Sequence, residues 1–364
     1  MKLKIKTLVL QETLSKAIKG CGNNKMLPIT SLICLSLSDG TLTMQTTDST
    51  NYMYAYAYNI EGEDFYVVLE ADKFSKLISK FTCEYTELSL DDRVLTIKGN
   101  GTYKIELPLD ENGSLIKFSN PLYDNDIRSD ETLVNTISTA DIKSVLNSNK
   151  SALSSELDVP CYSSYYIDEN YVVSTDTYKI CRNNISLLKE PTLISAETMN
   201  LLEVIDTDDI TVYCCDNVIV FSSENVDLYT TKAEGIEDYQ IDAISGLVDA
   251  SFSNSCKVVK STLLSALDRL SLFIGNYDKN SVTCTFDKDG IYISSKQSNA
   301  IEIINYNESS GSLSTNFVCD IDITMLQSQI KTNSGEFVNI HYGNDTAIKI
   351  TDGNIVHIIA LIEN

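Results

Sequence analysis

Hydrophobic and polar residues alternate with period two along three widely separated stretches, residues 86–113, 209–235 and 335–364. Each runs as a short alternating segment, an Asp/Asn/Gly turn, a second segment, another turn and a third segment, as in SLDDRVLTIKGNGTYKIEL and IHYGNDTAIKITDGNIVHIIA. Alternation punctuated in this way predicts antiparallel three-stranded meanders. Their spacing of roughly 125 residues is far longer than a solenoid unit and implies tandem copies of a whole domain.

The rest of the chain repeats in step. An apolar strand running into a helix precedes each meander: FYVVLEADKFSKLISKF at 65–81, PTLISAETMNLLEVI at 191–205 and NFVCDIDITMLQSQI at 316–330. Phe74, Leu77, Ile78 and Phe81 fall at i, i+3, i+4 and i+7, so one helical face packs on a sheet. Each unit also opens with an amphipathic helix, at 8–21, 138–153 and 260–274, with Ser138 and Thr139 placed as N-caps ahead of Asp141. Between the two helices lie hairpins marked by SDG, DEN and DKDG turns, at 31–48, 163–176 and 281–295. The reading is an α+β chain of three similar domains, 1–125, 126–245 and 246–364, each with two helices and about eight strands.

Composition narrows the function. A net charge of -23 describes an acidic surface that ordinarily repels nucleic acid. No run approaches the ~18 apolar residues of a membrane span, and MKLKIKTLVLQETL lacks a small-residue cleavage site, so a cytoplasmic protein is expected. Ten cysteines are scattered without a CxxC pair, many inside apolar strands, which suits reduced, buried thiols better than a metal or disulfide framework. His341 and His357 alternate with apolar residues in the last meander and are expected to face solvent. No GxSxG, Walker, GxGxxG or HExxH pattern occurs, and no carboxylate pair stands out. Catalytic residues, metal ligands and cofactors are therefore not expected, and a carboxylate-based hydrolase is the weakest reading.

Four local motifs add a resemblance on top of the repeat. The opening MKLKIKTLVLQETLSKAIKGC leads to Leu27-Pro28-Ile29 and then Thr47-Asp48; STDTYKIC at 174–181 is similar to ATDGHRLA; EGIEDYQ at 234–240 is similar to DGRFPDY; and the chain ends on IIALIEN. In order and spacing these resemble the bacterial DNA polymerase III beta subunit family, the β sliding clamps, over the whole length. The divergence fits a phage- or mobile-element-encoded member. The resemblance implies three tandem DNA-clamp domains and a head-to-tail homodimeric ring whose helices line a hole. Twelve helices of about 10 Å give a circumference of roughly 120 Å and a hole of about 28 Å, enough for duplex DNA. It further implies a replication processivity factor that holds DNA topologically and tethers a replicative DNA polymerase and a clamp loader. The alternative is a clamp-fold peptide-binding hub, or an inhibitor of a host replication complex, that does not encircle DNA.

The resemblance assigns residues as well. Asn24, Lys25, Lys16, Lys73, Lys76, Lys80 and Lys150 are expected to face DNA, with Lys19, Lys143, Lys260 and Lys331 also on the inner helices. Acids such as Glu61, Glu63, Asp64, Asp91, Asp92, Asp124 and Asp126 would lie outside. Tyr162, Thr175, Thr177, Tyr178, Lys179 and Ile180 would form one wall of a peptide cleft. Ile241, Ile358, Ile359, Ala360, Leu361 and Ile362 would form the other, with the tail residues left uncovered by any following strand. Phe74 and Leu77 would meet Leu272 and Phe273 of a second subunit. Departures from the family pattern fall at the contact positions. Asn24 and Asp72 stand where arginines are expected, Pro160-Cys161 replaces a tyrosine pair, and Glu156 replaces a neutral residue. In the cleft, Thr177-Tyr178-Lys179 replaces Gly-His-Arg, Glu237 a proline, Ile241 an arginine and Leu361 a proline. These imply a weaker grip on DNA and an altered peptide specificity.

Overall fold

Three times along the chain the elements run strand, helix, four strands, helix, three strands. The computed structural model describes residues 2–123, 133–155, 159–275, 280–296, 299–311 and 316–362. Asp124, Asp126 and Glu156 lie outside these. The first pass comprises β1 (Lys2–Lys6), α1 (Thr7–Ala17), β2 (Leu32–Ser38), β3 (Thr41–Thr47), β4 (Tyr52–Ala57), β5 (Phe65–Glu70), α2 (Ala71–Ile78), β6 (Tyr85–Asp91), β7 (Val94–Lys98) and β8 (Thr102–Glu106). The second comprises β9 (Leu133–Ser138), α3 (Thr139–Asn149), β10 (Ser164–Ile167), β11 (Val172–Thr175), β12 (Lys179–Asn183), β13 (Thr192–Ser195), α4 (Ala196–Leu201), β14 (Asp209–Cys215), β15 (Val218–Ser222) and β16 (Val226–Thr231). An intervening helix α5 (Ile241–Val248) precedes the third pass: β17 (Asn254–Val259), α6 (Lys260–Ser271), β18 (Ser281–Phe286), β19 (Gly290–Ser295), β20 (Ile301–Asn305), a short extra β21 (Glu308–Ser310), β22 (Phe317–Asp322), α7 (Ile323–Thr332), β23 (Phe337–Tyr342), β24 (Ala347–Asp352) and β25 (Ile355–Ala360).

Contacts gather these elements into two compact units, residues 1–142 with 197–232, and residues 143–196 with 233–364. In the first unit, β1, β6, β7 and β8 form a four-stranded sheet, and an eight-stranded sheet runs β5-β2-β3-β4-β16-β15-β14-β9. The first and second passes meet where β4 pairs with β16, Tyr52 opposite Tyr229 and Ala55 opposite Val226. Asp227 locks that seam by accepting from Tyr56 at 2.9 Å and Ser222 at 2.6 Å. The core beneath is built as the helical spacing dictates. Leu10, Leu14 and Ala17 on α1, and Phe74 and Ile78 on α2, pack on Ile33, Leu35, Leu88 and Ile97.

In the second unit, a nine-stranded sheet runs β13-β10-β11-β12-β25-β24-β23-β17-β21, beside a four-stranded sheet β20-β19-β18-β22. Here β12 pairs with β25, from Lys179 opposite Ile359 to Asn183 opposite Ile355. The chain's last strand is thus flanked on both sides, not left uncovered as the sequence suggested, because β12 takes the edge that the meander leaves open. Leu263, Leu267 and Leu270 of α6 and Leu326 and Ile330 of α7 fill the core with Ile359. Asp322 caps α7, its carboxylate accepting the amides of Thr324 at 2.7 Å and Met325 at 3.0 Å.

His357 also departs from expectation. It is fully buried, because it lies opposite Ile350 on the sheet face that α7 covers, where its Nε2 lies 3.1 Å from Thr332 Oγ1. Burial pulls its pKa down to about 4, partly offset by Asp352. The unfolded chain takes up this proton near pH 6.5, the folded one only near pH 4. The depressed folded value therefore supplies stability above pH 6.5 that is lost as pH falls toward 4, up to about 3 kcal/mol in all. Replacing His357 with Leu should flatten the melting temperature of this unit between pH 7 and pH 4.5 relative to the parent. Identical pH slopes for the two proteins would refute the assignment.

Candidate functional site

The second unit brings much of the expected peptide cleft together around a cluster of tyrosines. A Pro-initiated 3₁₀ turn, Pro160–Ser163, tucks Tyr162 inward at 8% exposure. Its ring meets Tyr239 edge-on at 5.2 Å, while Tyr166 of β10 stacks on Tyr239 at 5.3 Å. The Tyr239 hydroxyl donates to the Val173 carbonyl at 3.3 Å, and burial pushes its pKa well above the usual tyrosine range. Ile180, Ile244, Val248 and Ile358 complete the apolar cluster, with Ile241, Val356 and Tyr171 half-buried against it. Most of the cluster is packed away, so the apolar surface it presents to an extended segment comes from its half-buried members Ile241, Val356 and Tyr171.

The sequence missed α5 and three of the four tyrosines. The signal for α5 was present in IDAISGLV, whose Ile241, Ile244 and Val248 fall on one helical face. Tyr166 comes from β10, Tyr171 from the turn before β11 and Tyr239 from the turn before α5, so only the fold brings them together.

Strand alternation divides the tail residues. Val356 and Ile358 face the tyrosine cluster, whereas Ile359 is fully buried in the separate core under α6 and α7, with Leu361 against it. Ile359 is therefore a core residue and not a cleft wall. Ala360 extends the ladder by donating to the Tyr178 carbonyl at 2.8 Å, and Leu361 and Ile362 donate to the carbonyls of Thr346 and Asp320, each at 2.9 Å. Thr175, at 2% exposure, likewise holds a turn and does not line the cleft. Its hydroxyl donates to the Lys179 carbonyl at 2.9 Å and accepts the Thr177 amide at 3.0 Å. Asp176 braces the same turn by accepting the amides of Tyr178 at 3.0 Å and Lys179 at 2.8 Å, with the Lys179 ammonium 3.4 Å away. Tyr178 is left standing at 62% exposure. The rim is acidic, with Glu234, Glu237, Asp238 and Asp242 all exposed.

The lysines expected to face DNA fall into two groups. Lys25, Lys73 and Lys80 are exposed and make no ion pair among the described residues. Lys150 is exposed just past α3. Asn24 shapes its own loop, its side chain accepting the Met26 amide at 2.9 Å. Lys16, by contrast, is mostly covered and held by Asp206 at 2.8 Å, and Lys76 pairs with Asp72 one turn earlier on α2 at 2.8 Å. Lys260 turns onto the carbonyls of Lys331 and Asn333 at the end of α7, where a cation offsets the helix's unpaired carbonyls.

The four interface residues separate too. Leu272 and Phe273, just past α6, stand at 81% and 52% exposure. Leu77 is half-buried, while Phe74 is wholly enclosed in the first unit's core and has no face for a partner. Its place on the inner side of the α2 stripe explains this. The four-stranded sheets end on unpaired edges at β8 and β20, the latter carrying Ile301 at 60% and Ile303 at 56% exposure. Among the described residues there is no cluster of three potential metal ligands and no helix long and apolar enough to cross a membrane.

Comparison with known proteins fits this architecture. Residues 1–112 match the family described as DNA polymerase III beta subunit, N-terminal domain. The DNA polymerase sliding clamp from Bacillus subtilis superposes with a TM-score of 0.83 at 18% identity, covering 100% of this chain and 99% of that one. DNA polymerase III beta subunit from Thermotoga maritima gives 0.82 at 16%, with coverage of 100% and 99%. The sliding clamp from Pseudomonas aeruginosa gives 0.84 at 12%, with both chains covered to 100%. No curated protein sequence matches this chain. The fold along the whole length is that of the bacterial sliding clamps.

Thr177 sits at φ 78°, a left-handed conformation that a β-branched residue adopts only under strain, at the position where the family pattern has glycine. Thr177→Gly is expected to stabilise the protein by about 1 kcal/mol, strain relief outweighing the added freedom of the unfolded chain. Asp176→Ala, which strips two amide contacts from the same turn, should cost about 1 kcal/mol. Chemical denaturation of both variants decides this, and a destabilised glycine variant would contradict the strain argument.

Proposed function

We propose that this chain is a replication processivity clamp that closes around duplex DNA as a head-to-tail homodimer and tethers a replicative polymerase and a clamp loader. The observation that carries the reading is the threefold recurrence of one element order along a chain whose fold matches sliding clamps from end to end. The domains would run 1–125, 126–245 and 246–364. Edge strands β8 and β20 each leave a row of backbone donors and acceptors unpaired within one chain, and an interface closing after two copies would satisfy both. Leu272 and Phe273, exposed beside such an edge, supply apolar area for that contact. The protein would act in the cytoplasm as a scaffold, without catalytic chemistry or cofactor of its own.

The charge distribution supports holding DNA by enclosure and not by grip. With a net charge of -23, with Lys16 covered and held by Asp206 and with Asp72 beside Lys76, few cations are free to grip phosphates. Few simultaneous phosphate contacts mean weak, salt-sensitive, sequence-independent attraction that permits sliding. The tyrosine cluster with Ile180, Ile241 and Ile358 would receive the apolar anchors of partner motifs. Its acidic rim favours motifs flanked by lysine or arginine.

Three measurements test these statements. Light scattering should give twice the 40.4 kDa chain mass, and Leu272→Asp combined with Phe273→Asp should give single chains. Loaded onto circular DNA, the parent should be released when the circle is linearised; persistence on linear DNA at physiological salt would rule out topological holding. A monomeric parent would instead favour the hub. For the cleft, Ile241→Asp should weaken binding of a Gln/Leu/Phe-containing peptide with a basic flank by at least about tenfold while the dimer mass is retained. Unchanged affinity in a dimeric variant would move the peptide site elsewhere.

A further inference from the structure

One face of the first four-stranded sheet carries the opposite charge from the rest of the molecule. Along β1, Lys2, Lys4 and Lys6 are exposed while Leu3 and Ile5 turn inward, so the lysines stand about 7 Å apart on one side. The register carries that face across the sheet: Lys4 opposite Glu87, Glu87 opposite Lys98, and Thr96 opposite Lys104. None of these five lysines lies within ion-pairing distance of a carboxylate among the described residues. Lys4 instead rests over the Tyr85 ring at 4.6 Å.

Two grooves flank β1. One, of about 480 Å³, presents the half-buried Val9 and Ile60 and the exposed Tyr58 and Tyr85 beside Lys4 and Lys6. The other, of about 370 Å³, lies among Lys2, Lys4, Glu87, Ser89 and Lys98, with only the backbone side of the inward-facing Leu3 and Leu88 beneath it. The outer edge of β1 is not open to an added strand. Glu63 donates its amide to Lys2 and Lys4 donates to Glu61, at 3.1 and 3.5 Å. Gly62 permits this close approach, since a Cβ there would lie 2.8 Å from Leu37 Cδ2 and 3.2 Å from Leu3 Cδ1. A ligand must therefore lie on the face and not extend the sheet.

We propose that this face docks an acidic peptide segment of a partner protein, its carboxylates on the β1 lysines and an apolar side chain in a flanking groove. Charge complementarity selects the class: the five lysines outnumber the carboxylates Glu87, Asp91 and Glu106 on the same face, leaving it net positive on a chain of net charge -23, a local minimum for anions. The Val9, Tyr58 and Ile60 surface of the first groove and the intervening Glu61 and Glu87 favour a peptide of alternating acidic and apolar residues over a continuous chain of phosphates. This surface is separate from the tyrosine cleft and does not depend on it.

The probe is a fluorescein-labelled peptide of sequence Asp-Glu-Phe-Asp-Glu-Leu-Asp-Glu, titrated into the full chain and followed by anisotropy. Saturable binding that weakens with salt is expected. The combined variant Lys2→Gln, Lys4→Gln, Lys6→Gln should lose about tenfold in affinity, while Lys288→Gln, on the β18–β19 turn, should lose none. Because the β1 lysines are exposed, an unchanged melting temperature will separate lost contacts from lost folding. No binding by the parent, equal binding by the triple variant, or tighter binding of a ten-nucleotide oligothymidine than of the peptide would each overturn the proposal.

Discussion

Everything in this fold depends on backbone groups at strand edges finding partners. A sheet edge leaves a row of amides and carbonyls that must be paired, covered or hydrated. The middle pass resolves this by contributing its strands to two different sheets, β16 to β4 in one unit and β12 to β25 in the other. Contacts accordingly cut the chain twice inside the second repeat, at α3 and α4, and once just past its last strand β16. Sequence repetition and physical compactness are different partitions of the same chain, because the repeat follows local pattern whereas compactness follows hydrogen bonding between distant strands.

That difference decides what was legible. The meanders, the helices and the SDG, DEN and DKDG hairpins all reside in short-range periodicity and turn chemistry, and the structure has them. Asp168 and Asp287 hold two of those turns by accepting amides two and three residues on. The pairing of β12 with β25 joins residues far apart in sequence and has no local signature. His357 and Ile359 were misread together: both lie on the face of β25, shared with Ile348 and Ile350, that α6 and α7 cover, and local alternation does not say which face is covered. Phe74 was misread for a different one, since a helical stripe identifies a buried face without saying whether the cover is the same chain or another.

Lysines show how far charge alone can mislead. A list of cations on inner helices treats them as equivalent, yet their surroundings separate them. Lys16 is held by Asp206 and Lys260 by the carbonyls closing α7, while Lys25, Lys73, Lys80 and, beside Asp72, Lys76 reach solvent. In the cleft the same lesson concerns burial: Thr175 and Tyr162 resemble each other as positions in a motif but serve a turn and an aromatic floor respectively.

The central place of β25 also sets a timetable. Its neighbours β12 and β24 are both synthesised before it, and β12 precedes it by nearly half the chain. Until residues through Ala360 have left the ribosome, the nine-stranded sheet has a gap between them, and the cores on both its faces lack Ile358 and Ile359. The first unit has no such debt, since every strand of its two sheets is complete by Thr231. The chain is thus built to mature in two stages, an early half that can close during synthesis and a late half whose final strand is its keystone.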